Sequence, residues 1–154
     1  MESGTSAEKQ RPNFAELEAR YYATNDEATK TEILFEFDGE ESRDSLMALG
    51  RMFQRETNAD LKVEVLDAIA STEGNLEIKL PLLQSAIMRN QPSDLRESAI
   101  DALQDVEDAR AIPLWQSLLS DPDEFTRETA TERIQELQNP PPSKARESTA
   151  VGSK

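Results

Sequence analysis

The 154 residues contain neither histidine nor cysteine, so any chemistry must come from carboxylates, hydroxyls, amines or phenols. That double absence removes imidazole and thiolate zinc ligands, thiol nucleophiles, disulfides and histidine acid–base catalysis. Carboxylates are abundant: 31 acids stand against 17 bases, a formal net charge of −14. Among them is a column, Asp67, Asp101 and Glu132, whose members follow one another at intervals of 34 and 31 residues. Glu97, Asp105, Glu128 and Glu136 extend it at helical i±4 spacing. A carboxylate pair such as Asp101 and Asp105 can act as general acid and base only where it is desolvated. On an open helix face the same acids either attract a Lys/Arg-rich segment or simply keep a solvated surface polar.

A second acidic cluster, Phe35-Glu36-Phe37-Asp38-Gly39-Glu40-Glu41-Ser42-Arg43-Asp44, raises the question of calcium. A twelve-residue calcium loop needs oxygen ligands at positions 1, 3 and 5, glycine at 6 and glutamate at 12. Setting Gly39 at the sixth place puts Leu34 first and Ser45 last, so the pattern fails. The expected role is an acidic loop capping the next helix near Ser42, favoured by the partial positive charge of a helix N-terminus. No metal or cofactor is expected.

The charge also narrows the partners. Nucleic-acid phosphates and anionic membranes would on average repel this chain, which makes a basic protein the expected partner. Residues 1–77 carry net −10 and residues 78–154 net −4, so the N-terminal half is the stronger attractor of cations. No stretch reaches the ~18 consecutive apolar residues of a membrane span, and Met1–Arg11 has no apolar core of the kind a signal peptide needs. A cytoplasmic protein is expected. Residues 1–12 and 140–154 have little to bury, and Pro140, Pro141 and Pro142 stop a helix; they are expected to be a disordered arm and tail around an ordered body, 13–139.

Positioning the acids is the work of helices. Apolar periodicity predicts first helices near 13–24, 42–55, 77–90 and 109–120, and second helices near 26–38, 60–71, 94–105 and 124–138. Turn chemistry separates them at Asp38-Gly39, Gly74-Asn75, Gln91-Pro92 and Asp121-Pro122. Leu61, Val65 and Ile69 align with Leu95, Ala99 and Leu103, then with Thr126, Ala130 and Ile134, and backwards with Thr29, Ile33 and Phe37. Spacing by four places each set on one helical face, the expected inter-helix core. Leu80-Pro-Leu-Leu-Gln-Ser-Ala-Ile87 is replayed 32 residues on as Ile112-Pro-Leu-Trp-Gln-Ser-Leu-Leu119, with each proline expected in a first helical turn. A helical pair repeated every 31–34 residues predicts an all-α solenoid of about four hairpins, eight helices, and solenoids more often bind than catalyse.

The segment Ala111-Ile-Pro-Leu-Trp-Gln-Ser-Leu-Leu-Ser-Asp-Pro-Asp-Glu-Phe-Thr-Arg-Glu-Thr-Ala130 resembles the HEAT-like repeat in its short bacterial form. The resemblance is specific over 109–134, good over 77–103 and loose over 13–71. It implies a right-handed α-solenoid, armadillo-like in outline, with the second helices lining the concave face, and no single activity. It also implies a bracing ladder in which a turn acid precedes a base by six residues, as Asp121 precedes Arg127 and Glu56 precedes Lys62; Lys30 and Arg96 hold the matching base positions. A basic row for an anionic ligand is the alternative use of those four bases. In the last unit Thr131 and Arg133 replace apolar residues of earlier units, which fits an end cap and a complete short solenoid.

Trp115, the one tryptophan, holds the core slot of Leu83 and is expected to pack rather than bind. Tyr21 and Tyr22 point about 100° apart on a helix, so one of them is expected at the surface, able to form a contact patch with Phe35. The resulting expectation is a non-enzymatic protein-protein interaction scaffold or adaptor whose acidic groove binds a basic segment. The rival is a lyase- or isomerase-type factor that matures a chromophore or cofactor, which requires an apolar pocket with desolvated carboxylates. A nucleic-acid mimic or spacer is a third possibility, and the interleaved basic row argues against it.

Overall fold

The computed structural model describes residues 13–37 and 42–139. Among these the chain is all-α, with eight α-helices and no strand. They are α1 (Phe14–Ala23), α2 (Glu27–Phe35), α3 (Arg43–Arg55), α4 (Ala59–Ser71), α5 (Leu76–Ala86), α6 (Ser93–Gln104), α7 (Ile112–Ser117) and α8 (Glu124–Gln138), with a 3₁₀ turn at Ala109–Ala111. The expected arm 1–12, the tail 140–154 and the acidic residues 38–41 lie outside the described residues.

The helix starts follow from side-chain capping. Asn13, Asp26, Ser42, Asn58 and Asp123 each adopt extended backbone and accept the N–H three residues on, at 2.9–3.1 Å. Each such cap contributes about 1 kcal/mol. The turn into α5 is made differently: Gly74 and Asn75 both take positive φ, 78° and 53°, and Asn75 makes no side-chain cap. Two helices depart from the sequence expectation. The predicted 109–120 helix is a 3₁₀ turn followed by only six α-helical residues, closed by further tight bonds from Leu118 N–H to Trp115 O and from Leu119 N–H to Gln116 O. Pro113 falls in the first turn of α7 as expected, but Pro81 lies inside α5, the sixth residue of Leu76–Ala86. The helix begins at Leu76, before the shared Pro-Leu phrase, and at Pro81 it lacks one rung of its i→i−4 ladder.

The described residues divide into two compact units, one ending at Ala102 and one beginning at Leu103. In the first, α1 packs on α2 and α3 on α4; α1 also packs on α3, α2 on α4, and α5 on both α3 and α4. Hairpin thus stacks on hairpin, with α1 against α3 and α2 against α4, while α5 meets both helices of the hairpin before it. Close approach of α3 to α5 is marked by Gly50, where a Cβ would stand 3.2 Å from a Leu82 methyl. Side-chain ties repeat at the hairpin spacing: Glu18 with Arg51, Thr31 with Glu64, Glu27 with Asn58 and Arg43 with Glu77 are 31–34 residues apart. In the second unit α7 packs on α8 and on the 3₁₀ turn.

The aligned columns are the core. Ile33, Phe37, Leu61, Val65, Ile69, Leu95, Ala99 and Leu103 are all buried, as is Ala130, while Thr126 and Ile134 are half-buried. Burial of each large aliphatic contributes roughly 1.5–3 kcal/mol. Trp115 is fully buried, like Leu83. Arg133 differs from the expected exposed cap. Its side chain is 12% exposed and folds onto the turn after α6, donating to Val106 O at 3.1 Å and pairing with Glu107 and Glu136. Thr131 is exposed.

Candidate functional site

All seven acids of the proposed binding surface are exposed: Asp67, Glu97, Asp101, Asp105, Glu128, Glu132 and Glu136. Asp67 is on α4, Glu97 and Asp101 stand one turn apart on α6, and Glu128, Glu132 and Glu136 occupy successive turns of α8. Asp105 falls one residue beyond α6, in the turn that follows it. Glu136 is engaged with Arg133 at 2.6 Å. Among the described residues no ion pair reaches the other six.

Asp67 stands apart from the rest. It lines a groove of about 310 Å³ in the first unit, formed by Thr31, Leu34 and Phe35 of α2 and Glu64, Asp67 and Ala68 of α4. Each helix contributes positions i, i+3 and i+4, a single helical face. Leu34 and Ala68 are buried, Phe35 is 70% exposed, and the Thr31 hydroxyl donates to Glu64 at 2.7 Å across the two helices. The Asp67 residue is exposed as a whole, yet its carboxyl is partly withdrawn from water. That desolvation, together with the charge of Glu64, raises its pKa above the ordinary aspartate value.

The base row resolves residue by residue. Lys30 reaches forward to Glu56 of the next hairpin at 3.2 Å and lies over the Tyr21 ring. Lys62 sits over the Phe53 ring, 4.5 Å from its centre. Arg96 donates to Ile87 O at 2.9 Å, and Arg127 to Asp121 O and Pro122 O at 2.6 and 3.0 Å, so both hold their own inter-helix turns. The Asp121 carboxylate is buried and accepts the Asp123 N–H at 3.0 Å.

Two buried acids join the first two hairpins: Glu56, the turn acid expected to precede Lys62 in the ladder, takes Lys30 instead, and Glu18 has no such signal in the sequence. Glu56, 8% exposed, accepts the Tyr21 hydroxyl, Lys30 and the N–H groups of Thr57 and Asn58. Burial pushes its carboxyl up, but bonds from Tyr21, Asn58 and Lys30 outweigh that and hold it below the ordinary value. Tyr21, buried against this carboxylate, is raised well above an ordinary phenol. Glu18 takes a two-pronged bond from Arg51 at 2.8 and 2.9 Å, which, with Tyr22, lowers its pKa in spite of burial. Tyr22 is half-buried, covered by Arg55 at 3.8 Å, and pushed up to about 12 by burial and its bond to Glu18. Glu18 and Arg51 are 33 residues apart and Tyr21 and Glu56 are 35, close to the stacking distance in sequence, whereas Lys30 and Glu56 are 26 apart.

Among the described residues no group of three or more potential metal ligands comes together, and no helix is long and apolar enough to cross a membrane. The acidic 38–41 stretch weighed for calcium lies outside them; Ser42 caps α3. No family model, curated protein or solved structure matches the chain.

Proposed function

We propose that this chain is a non-enzymatic scaffold or adaptor, a right-handed HEAT-like α-solenoid whose second-helix face holds a basic segment of a partner protein in the cytoplasm. The observation carrying this reading is the set of exposed acids on α4, α6 and α8 that have no cation of their own among the described residues. By contrast, the acids that brace the stack, Glu18 and Glu56, are buried and fully engaged. Acids left without partners hold a field that steers a basic segment and weakens with salt. The HEAT-like handedness rests on the resemblance of 109–134 alone, while the hairpin-on-hairpin packing of the first unit supports repeated stacking. Reversal of Asp67, Asp101 and Glu132 to lysine should abolish salt-sensitive capture of basic proteins from an extract. Unchanged capture by the triple variant would sink the reading.

The maturation-factor alternative retains one supporting observation, the apolar groove with a partly desolvated carboxylate at Asp67. At about 310 Å³ the groove sits at the lower limit of small-molecule sites, which run from about 300 to 1,000 Å³ and enclose most of their ligand. A change in the absorbance of an open-chain tetrapyrrole on mixing, lost in Asp67→Asn, would favour that alternative.

A further inference from the structure

The groove between α2 and α4 has a composition that a plain acidic patch does not need. Its floor is apolar, Leu34 and Ala68, both buried. One rim carries an aromatic ring that is 70% exposed, Phe35, and the other carries Asp67. At the offset of 32 residues that aligns Ile33 with Val65, Phe35 falls on Asp67 itself. The column of acids therefore begins, in the first hairpin, with an aromatic. No cation lines the groove, and the described residues offer Asp67 no ion pair. Glu64, beside it, is held by the Thr31 hydroxyl through one oxygen, Oε1.

A hydrocarbon floor ending between a ring face and a carboxylate matches a long basic side chain. Arginine and lysine lay three or four methylenes along apolar surface and deliver a cation at the tip. A guanidinium or ammonium over a phenyl face gains about 0.5–1 kcal/mol at an exposed site, and an adjacent carboxylate adds a charge-assisted hydrogen bond. We infer that this groove is a socket for one arginine or lysine side chain of a partner segment, its stem on Leu34 and Ala68 and its cation between Phe35 and Asp67. This rests on the basic-partner reading above and adds to it a single anchoring position. Partial desolvation disfavours the ionised Asp67 carboxyl, and the attraction of a bound cation offsets that cost.

The test titrates the isotopically labelled full chain with octa-arginine, octa-lysine and octa-(diaminopropionate) at low ionic strength, following backbone amide signals. The three probes carry matched numbers of basic groups, but diaminopropionate lacks the long stem. Expected are shifts at Thr31, Leu34, Phe35, Glu64, Asp67 and Ala68 with the two long-stemmed probes, and much smaller ones with the short. Asp67→Asn combined with Phe35→Ala, both at exposed positions, should weaken octa-arginine roughly five- to tenfold at this site. Asp101→Asn should leave the groove shifts in place. Shifts confined to the acids of α6 and α8 would overturn the socket and leave the basic-partner reading standing. Equal groove shifts with the short-stemmed probe would also overturn it, and no shifts anywhere with any probe would overturn both.

Discussion

The Tyr21 hydroxyl meets the Glu56 carboxylate at 2.5 Å, tying the last turn of α1 to the residue that ends α3, 35 positions later. Lys30 of α2 reaches the same carboxylate oxygen, so one buried acid joins three helices of two hairpins. This node links the first two hairpins alongside the Glu18–Arg51 pair. Tyr21→Phe removes one of its donors and should cost about 1–2 kcal/mol. Glu56→Ala strands a lysine, a phenol and two backbone N–H groups, and should cost about 3 kcal/mol or more. Urea denaturation compares the two. Because the folded pKa of Glu56 lies below its unfolded value, its contribution is complete above the unfolded pKa of about 4.3 and fades as pH falls through the folded one. An acid-denaturation curve of Glu56→Gln should therefore be flatter than that of the native chain.

Arg51 and Glu18 provide the second joint, through two bonds of 2.9 and 2.8 Å to a carboxylate that is 12% exposed. Arg51→Ala should destabilise by about 1 kcal/mol, since the guanidinium itself is half in water. Arg51→Lys should recover less than half of that loss, because a point charge cannot supply the planar fork. The measurement is the shift in thermal midpoint of the two variants.

Asp67 should behave in the opposite sense to Glu56. Its folded pKa is raised by desolvation and by Glu64, so the ionised carboxyl disfavours folding at neutral pH and the penalty is relieved as pH falls through the folded value. Asp67→Asn is expected to stabilise the fold at pH 7 by up to about 0.5 kcal/mol for an exposed position, read as a raised thermal midpoint, with the gain vanishing in acid. A lowered midpoint at neutral pH would contradict the desolvated state of this carboxyl.

Trp115 is fully buried, and its indole N–H finds no hydrogen-bond partner among the described residues. Trp115→Phe removes that orphan donor and keeps most of the packing, so it should cost far less than Trp115→Ala, for which about 3–5 kcal/mol is expected. Circular dichroism during denaturation reads both variants without relying on the indole.

Much of the local structure was legible in the sequence, and for local reasons. Ser42, Asn58 and Asp123 precede helices because their side-chain oxygens answer N–H groups only three residues away. The Leu61, Val65, Ile69 column is buried because a spacing of four lines up one face. Pro81 shows the limit: the phrase it shares with Pro113 suggests a common first turn, but the helix around Pro81 starts a full turn earlier, where Gly74 and Asn75 set it off. Arg133 shows another, since a polar residue in an apolar column looked like an exposed cap and is instead packed under Val106.

Helix positions, caps, core columns and the surplus of acids are properties of neighbouring residues, and the chain's own order determines them. The partners taken at the Glu56 and Glu18 joints depend on how helices 26 to 35 residues apart pack together. Only the tertiary structure therefore decided that Glu56 serves Lys30 and Tyr21, that Glu18 serves Arg51, and that Asp67 lines a groove with an exposed ring and an apolar floor.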